Sequence, residues 1–236
     1  MKQHSDASVS LNKFISETGF CSRREADAII KAGRVTINGE TARAGNRVRS
    51  GDQVKLDGKS LTQKDKARLV YIALNKPTGI ICTTDQSVKN NIIDFVSYPQ
   101  RIFPIGRLDK PSEGLILLTN DGDIVNKILR AGNAHEKEYI VNVNKKITSS
   151  FIKKMAEGVP VLDTITLPCY VEKLDDYTFR IILIQGLNRQ IRRMCEYLGY
   201  GVTRLKRVRI MHVGLGNLKP GKWRTLTKEE VNRFSD

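Results

Sequence analysis

Residues 58–67, GKSLTQKDKA, hold one large apolar side chain in ten, so this stretch cannot lie inside a packed core and must divide whatever surrounds it. A chain of 236 residues cut there gives two unequal domains, expected over residues 9–60 and 69–236 with a linker over 61–68. Hydrophobic residues make up 40% of the chain and charged ones 28%, enough to build a core on each side of the cut and to exclude wholesale disorder.

The first part reads as two helices followed by short strands. Ser10 precedes Leu11, Phe14 and Ile15 at the spacing of a buried helical face, and Gly19 stops the turn. Ser22 and Glu25 then form a capping box for a second helix, which turns Ala26, Ile29 and Ile30 inward and Arg23, Arg24, Asp27 and Lys31 outward until Gly33. VTING, with its Asn38-Gly39 turn, and DQVKLDG read as strands. In the second part LVYIALN, IICTT, LILLT, EYIVNV and TFRIILI read as strands. Helical patterns fall at 121–131, 149–157 and 188–198, the last with Asn188 as its expected N-cap, and a box of Thr227 and Glu230 starts a short final helix. The fold class is α+β.

MKQHSDASVS shows no apolar stretch after its lysine, and the longest apolar run, LVYIAL, is six residues where ~20 are needed to span a bilayer. A soluble, cytoplasmic protein without membrane contact is expected. Cys21, Cys82, Cys169 and Cys195 form no CxxC pair and have no histidine near them, which points to reduced thiols and no metal site. Coiled-coil heptads are absent, so a monomer is the default.

Forty Lys and Arg against 25 Asp and Glu give a net charge of +15, a field that draws polyanions. Residues 188–209 hold seven of these cations (Arg189, Arg192, Arg193, Arg204, Lys206, Arg207, Arg209) against Glu196 alone. In VTRLKRVRI strict alternation places Arg204 and Lys206 on one face and Leu205, Arg207 and Arg209 on the other. The dominance of Arg suits bidentate phosphate contact, so RNA or DNA is preferred over a membrane.

Three segments could carry chemistry. PIGRLDKPSEGLILLTNDG is a Gly-containing charged loop entering an apolar strand; its Asp109 sits beside Arg107 and Lys110, cations that favour an ionised carboxylate, although a turn aspartate near a surface ion pair has the same signature. HEKEYIVNV places Tyr139 in a strand, where it is equally readable as a core residue. QGLNRQIRRMCEYLGY displays arginines beside an apolar seam, which also fits a solvated face.

Taken together and in this order, GRLDKPSEGLILLTNDG, KEYIV, NRQIRRM and VTRLKRVRI resemble the RsuA-type family of ribosomal RNA pseudouridine synthases. LNKFISETGFCSRREADAIIKAGRVTINGE resembles the αL-type RNA-binding module found in a small-subunit ribosomal protein and in tyrosyl-tRNA synthetases. Ser112 stands where many relatives have Thr and keeps the hydroxyl. The resemblance implies a mixed, mainly antiparallel synthase domain behind the small module. It implies isomerisation of a uridine in large-subunit (23S) ribosomal RNA by base flipping, without metal or cofactor, and leaves a transfer RNA open as a second substrate. By the same resemblance Asp109 is the catalytic nucleophile, Arg192 pairs with it and Tyr139 stacks on the flipped base. Arg107, Leu108, Lys110, Arg189, Gln190 and Ile191 contact RNA around the site, while Lys13, Ser22, Arg23, Arg24 and Lys31 anchor it from the N-terminal module. Two other readings compete: a non-catalytic RNA-binding protein of this fold, and a metal-dependent phosphodiesterase using Asp109, Asp121 and Asp123.

Overall fold

The computed structural model describes residues 8–61, 69–129 and 135–234. Contacts divide the chain into two units, Met1–Leu69 and Val70–Asp236. Residues 62–68, most of the expected linker, and residues 130–134, which include the end of the expected 121–131 helix, lie outside the described residues.

In the first unit Leu11–Glu17 and Arg23–Lys31 are helices. They pack with a four-stranded antiparallel sheet in the order Glu40–Thr41, Val35–Ile37, Val54–Leu56, Lys59–Ser60. The periodic positions supply the core directly: Leu11, Phe14, Ile15, Ala26 and Ile30 join Val35, Val54 and Leu56 in one cluster. Asn38 (φ 52°) and Gly39 (φ 90°) give the left-handed turn whose twist suits a hairpin. The capping box forms, with Ser22 Oγ accepting from Glu25 N at 3.2 Å and Glu25 Oε2 accepting from Ser22 N at 2.6 Å, worth about 1 kcal/mol to the helix. The Ser22 hydroxyl oxygen thus caps the helix by accepting a free amide, and its O–H remains a donor. Lys13 forms an ion pair with Glu17 at 3.4 Å on the surface of the first helix. Arg23, Arg24 and Lys31 are exposed on one helix and make no side-chain hydrogen bond or ion pair among the described residues.

The second unit is built on one mixed sheet. Its main path runs Tyr170–Lys173, Thr178–Leu183, Lys137–Val143, Val202–Ile210, Glu113–Thr119, Tyr71–Lys76, Trp223–Thr225. Neighbours along it are antiparallel except Val202–Ile210 against Glu113–Thr119. The continuous apolar run of Leu115, Ile116, Leu117 and Leu118 is explained by burial on both faces. Ile116 and Leu118 join Ile72 and Leu74 on one side, and Leu115 and Leu117 join Ala73 and Ile124 on the other. Burial of each of these fully buried aliphatic side chains contributes about 2 kcal/mol gross. A third cluster, formed around Val141, Phe151, Phe179, Ile181 and Met194, supports the other half. Tyr139 packs against both this cluster and the one around Ile72 and Leu74, so it marks the seam between them.

Two expectations fail locally. IICTT is not a strand: Ile81 makes a single bridge to Asn91, and Thr83 N turns back to Ile81 O at 2.9 Å, while Cys82 is drawn to the Leu108 backbone. The alternation of VTRLKRVRI also breaks. Tyr139 pairs with Arg207 and Glu138 with Arg209, so Val208 is a bulge that reverses the parity beyond it. Arg207 turns inward, whereas Arg209 reaches Glu138 and Glu136 at 2.8 and 3.0 Å. No helix in the described residues is long and apolar enough to cross a membrane.

Candidate active site

The loop carrying Asp109 is the connection of a hairpin. Phe103–Ile105 leads in, Glu113–Thr119 leads out, and Phe103 pairs with Thr119 and Ile105 with Leu117. Its backbone is fixed from several directions. Ser112 N donates to Asp109 O at 3.0 Å, and Gly79 N donates to Lys110 O at 2.8 Å. The Cys82 thiol donates to Leu108 O at 3.2 Å and accepts from Leu108 N at 3.4 Å, while the Leu108 side chain is buried in the core. Asp109 is thus held between two anchored neighbours, the placement a reacting carboxylate requires.

Asp109 lines a cavity of about 590 Å³ in the second unit. Every residue singled out there from the sequence lines it with the exception of Lys110: Arg107, Leu108 and Asp109 on one loop, Tyr139 on a strand, and Arg189, Gln190, Ile191 and Arg192 at one helix end. The Gln190–Tyr197 helix begins one residue late for an Asn188 cap. Arg189 is its first flanking residue, at φ 52° and with no side-chain cap, and the Asn188 side chain instead receives Arg193. Left-handed geometry at a non-glycine costs about 1 kcal/mol or more and concentrates at functional sites. The Arg189 side chain is exposed, without a hydrogen bond or ion pair among the described residues.

Three of the expected RNA contacts lie in the cavity wall with little exposure. Leu108 and Ile191 are buried apolar side chains, and Gln190 is buried while it accepts from Leu187 N at 3.0 Å and donates to Gln185 Oε1 at 3.2 Å. They shape the cavity wall. The basic strand is also largely committed, with Arg204 on Glu113 at 2.6 Å and Arg209 on its two glutamates. Arg107 and Lys110 remain exposed and carry no side-chain partner among the described residues.

Arg192 does not form an ion pair with Asp109. Its Nη2 donates to Pro111 O and Ser112 Oγ, both at 3.2 Å, Nη1 donates to Val202 O at 3.4 Å, and Nε is buried without a partner. Arg192 is therefore aimed at the residues just after Asp109. Burial, followed by the neighbouring Arg189 cation, draws its pKa below the ordinary range, and Asp109 opposes the shift.

Sequence reasoning missed several groups. Lys137 lines the cavity two residues before Tyr139, with its pKa lowered by burial and then by Arg207. Arg207 lines it too, and Lys76 lies fully buried within electrostatic reach of Asp109. The signal for Lys76 was available: a lysine follows the apolar run and Asn75 at the end of the strand in LVYIALNKP. The three aspartates of the phosphodiesterase reading do not converge. Asp121 accepts from Tyr71 Oη at 2.7 Å and from Asp123 N at 2.9 Å, and among the described residues no group of three His, Cys, Asp or Glu side chains is placed to hold a metal ion.

A family model for RNA pseudouridylate synthase matches residues 70–197, and one for the S4 domain matches residues 9–64. The dual-specificity RNA pseudouridine synthase RluF of Salmonella typhi is 58% identical over 226 residues, covering 96% of this chain and 78% of that protein. The ribosomal large subunit pseudouridine synthase B of Bacillus subtilis is 33% identical over 233 residues, covering 95% and 94%. A crystal structure of a pseudouridylate synthase superposes with a TM-score of 0.70 at 31% identity, over 96% of this chain and 100% of that one. These likenesses run through both units, and the chain is a member of the RNA pseudouridylate synthase family, an enzyme that makes pseudouridine in RNA, with an S4 domain ahead of its synthase domain.

Proposed function

We propose that this enzyme isomerises a specific uridine of large-subunit (23S) ribosomal RNA, acting as a cytoplasmic monomer without metal or cofactor. The observation that carries the reading is a single carboxylate, Asp109, on a fixed loop in a cavity that is also lined by Tyr139 and by Arg107, Arg189, Arg192 and Arg207. In the reaction the N1–C1′ bond breaks, the C5–C1′ bond forms, the C5 proton leaves and N1 gains one, so atoms and electrons balance with no co-reactant. Asp109 acts as the nucleophile, at the anomeric carbon or at the uracil ring. Tyr139 stacks on the base once it is flipped from its stack, a step that costs a few kcal/mol and least for an unpaired uridine. Arg107, Lys110 and Arg189, exposed and uncommitted, hold the flanking phosphates.

The test uses total RNA from a strain lacking the gene, treated with purified protein in EDTA and mapped for pseudouridine. A new pseudouridine in large-subunit RNA is expected, and transfer RNA is mapped in the same experiment because the enterobacterial relatives' name carries two specificities. Strand cleavage, or activity lost with chelator, overturns the reading.

Arg23, Arg24 and Lys31 give the first unit its role in this scheme, as an electrostatic anchor that positions RNA without reading its sequence. Arg23→Ala with Arg24→Ala is expected to weaken RNA binding while leaving turnover at saturating RNA unchanged. The slope of log affinity against log salt becomes shallower by about 1.5, because each phosphate contact contributes ~0.7–0.9. Equal slopes for variant and wild type refute the anchoring role.

A further inference from the structure

Trp223, the chain's only tryptophan, lies on the strand Trp223–Thr225, which stands at the end of the sheet's main path and pairs there with Tyr71–Lys76. The indole is braced rather than buried: Tyr98 meets it edge-on with ring centroids 5.6 Å apart, yet Trp223 is 40% exposed. Phe95, 38% exposed, completes the group, since its Cζ lies 3.6 Å from where a Cβ on Gly221 would stand. Aromatic rings of this size gathered at the surface mark a contact site more often than a fault of packing.

The charge around them is one-sided. Residues 217–224, NLKPGKWR, hold three cations and no acid. Arg224 is bound to Glu230 through two hydrogen bonds of 2.7 Å, whereas Lys219 and Lys222 are exposed and carry no side-chain partner among the described residues. Asp94, beside Phe95 in the chain, already receives the Asn91 side chain at 2.7 Å.

This turn is fastened to the strand that leads to the Asp109 loop. Asn75, 2% exposed, holds it three times: Asn75 N donates to Lys222 O at 3.0 Å, Nδ2 donates to Leu218 O at 2.7 Å, and Gly221 N donates to Asn75 O at 2.8 Å. The chain then passes through Lys76 into the 77–80 segment, whose Gly79 N donates to Lys110 O at 2.8 Å. A run of hydrogen-bonded backbone therefore joins the loop of Asp109 to the aromatic group, with exposed Lys110, Lys222 and Lys219 along it. The turn is set before any ligand arrives, which lowers the cost of binding one.

We infer that Phe95, Trp223, Lys219 and Lys222 form a second RNA contact of the synthase unit, a platform on which unpaired nucleotides flanking the target uridine stack while the lysines hold their phosphates. Exposed rings interleaved with cations bind single strands without reading their sequence. A duplex keeps its bases stacked inside and offers these rings only its backbone. The inference rests on the Asp109 cavity receiving the target uridine, but its test is read at Trp223 and needs no turnover.

Indole fluorescence of the full-length protein, excited where tyrosine does not absorb, reports Trp223 alone. Titration with oligouridine is expected to quench it, and a duplex RNA of the same length to leave it nearly unchanged. Phe95→Ala raises the midpoint of that titration about tenfold, the effect of losing one stacked base. Lys219→Gln with Lys222→Gln makes the slope of log midpoint against log salt shallower by about 1.4, at ~0.7 for each phosphate contact on a single strand. Should Phe95→Ala not fold, the lysine pair, both exposed, carries the comparison. No quenching by oligouridine, equal quenching by the duplex, or variants that titrate like wild type overturn the inference. Quenching by polyglutamate and not by RNA overturns it too, and assigns the patch to an acidic protein. If Asp109→Asn keeps full activity the catalytic reading fails instead, while quenching in that same variant still supports the platform.

Discussion

Replacing Asp109 by Asn is expected to lower pseudouridine formation by roughly 10⁴-fold or more, the scale seen when a nucleophile is removed from a site whose other parts remain. The substitution is close to isosteric. The anchors of the loop are backbone bonds at Leu108, Lys110 and Ser112 together with the Leu108 side chain, none of which needs the carboxylate. What disappears is the negative charge and the lone pairs that meet the developing cationic sugar. RNA affinity is expected to stay level or rise, because the variant removes one negative charge from a cavity that receives a polyanion and phosphate contacts dominate binding. Filter binding alongside single-turnover mapping reads both quantities. Turnover within tenfold of wild type would show that another group performs the chemistry.

The elements most legible in the sequence are those whose stabilisation is local. Ser22 with Glu25 and Thr227 with Glu230 form both capping boxes, since each is settled within one helical turn. LILLT reads as a doubly buried strand because four consecutive apolar residues admit few other fates. The gathering of Asp109, Tyr139 and the 189–192 segment around one cavity was legible only through the family pattern, as these positions are far apart in the chain. The failures are all cases where a tertiary partner decides. Cys82 leaves its expected strand to bind the Leu108 backbone. Arg189 takes a left-handed conformation that moves the helix start. Above all, VTRLKRVRI looked like a phosphate-binding strand, yet Arg204 and Arg209 meet glutamates from other strands, Arg207 shares the buried face of Leu205, and the bulge at Val208 takes Arg209 off that face. Strand order and bulges are not written in local periodicity, so the sign of a residue was readable and its address was not.

Gly114→Ala is expected to be the most damaging small substitution in the second unit. Gly114 joins the Asp109 loop to its strand and pairs with Arg207 at the one parallel contact of the main path. Its φ is +106°, a conformation L side chains rarely adopt, and an added Cβ would lie 2.7 Å from Arg207 N and nearer still to its carbonyl oxygen. Both obstacles are backbone, so no side-chain rotation relieves them. Strain and overlap together are expected to cost at least about 3 kcal/mol, or roughly 6–12 °C in Tm for a protein of this size. Gly79→Ala supplies the comparison, because Gly79 has a similarly positive φ of +88° but nothing within 4 Å of an added Cβ. It should pay the conformational cost alone, about 1 kcal/mol. The difference between the two variants isolates the overlap. Below its melting range Gly114→Ala is also expected to lose turnover, since displacing Arg207 slackens its hold on Leu115 O and Arg107 O and with it the loop that aims Asp109. Equal midpoints for the two alanine variants would mean that the strands separate without penalty, and the close approach that seats Arg207 beside the loop would then have no structural weight.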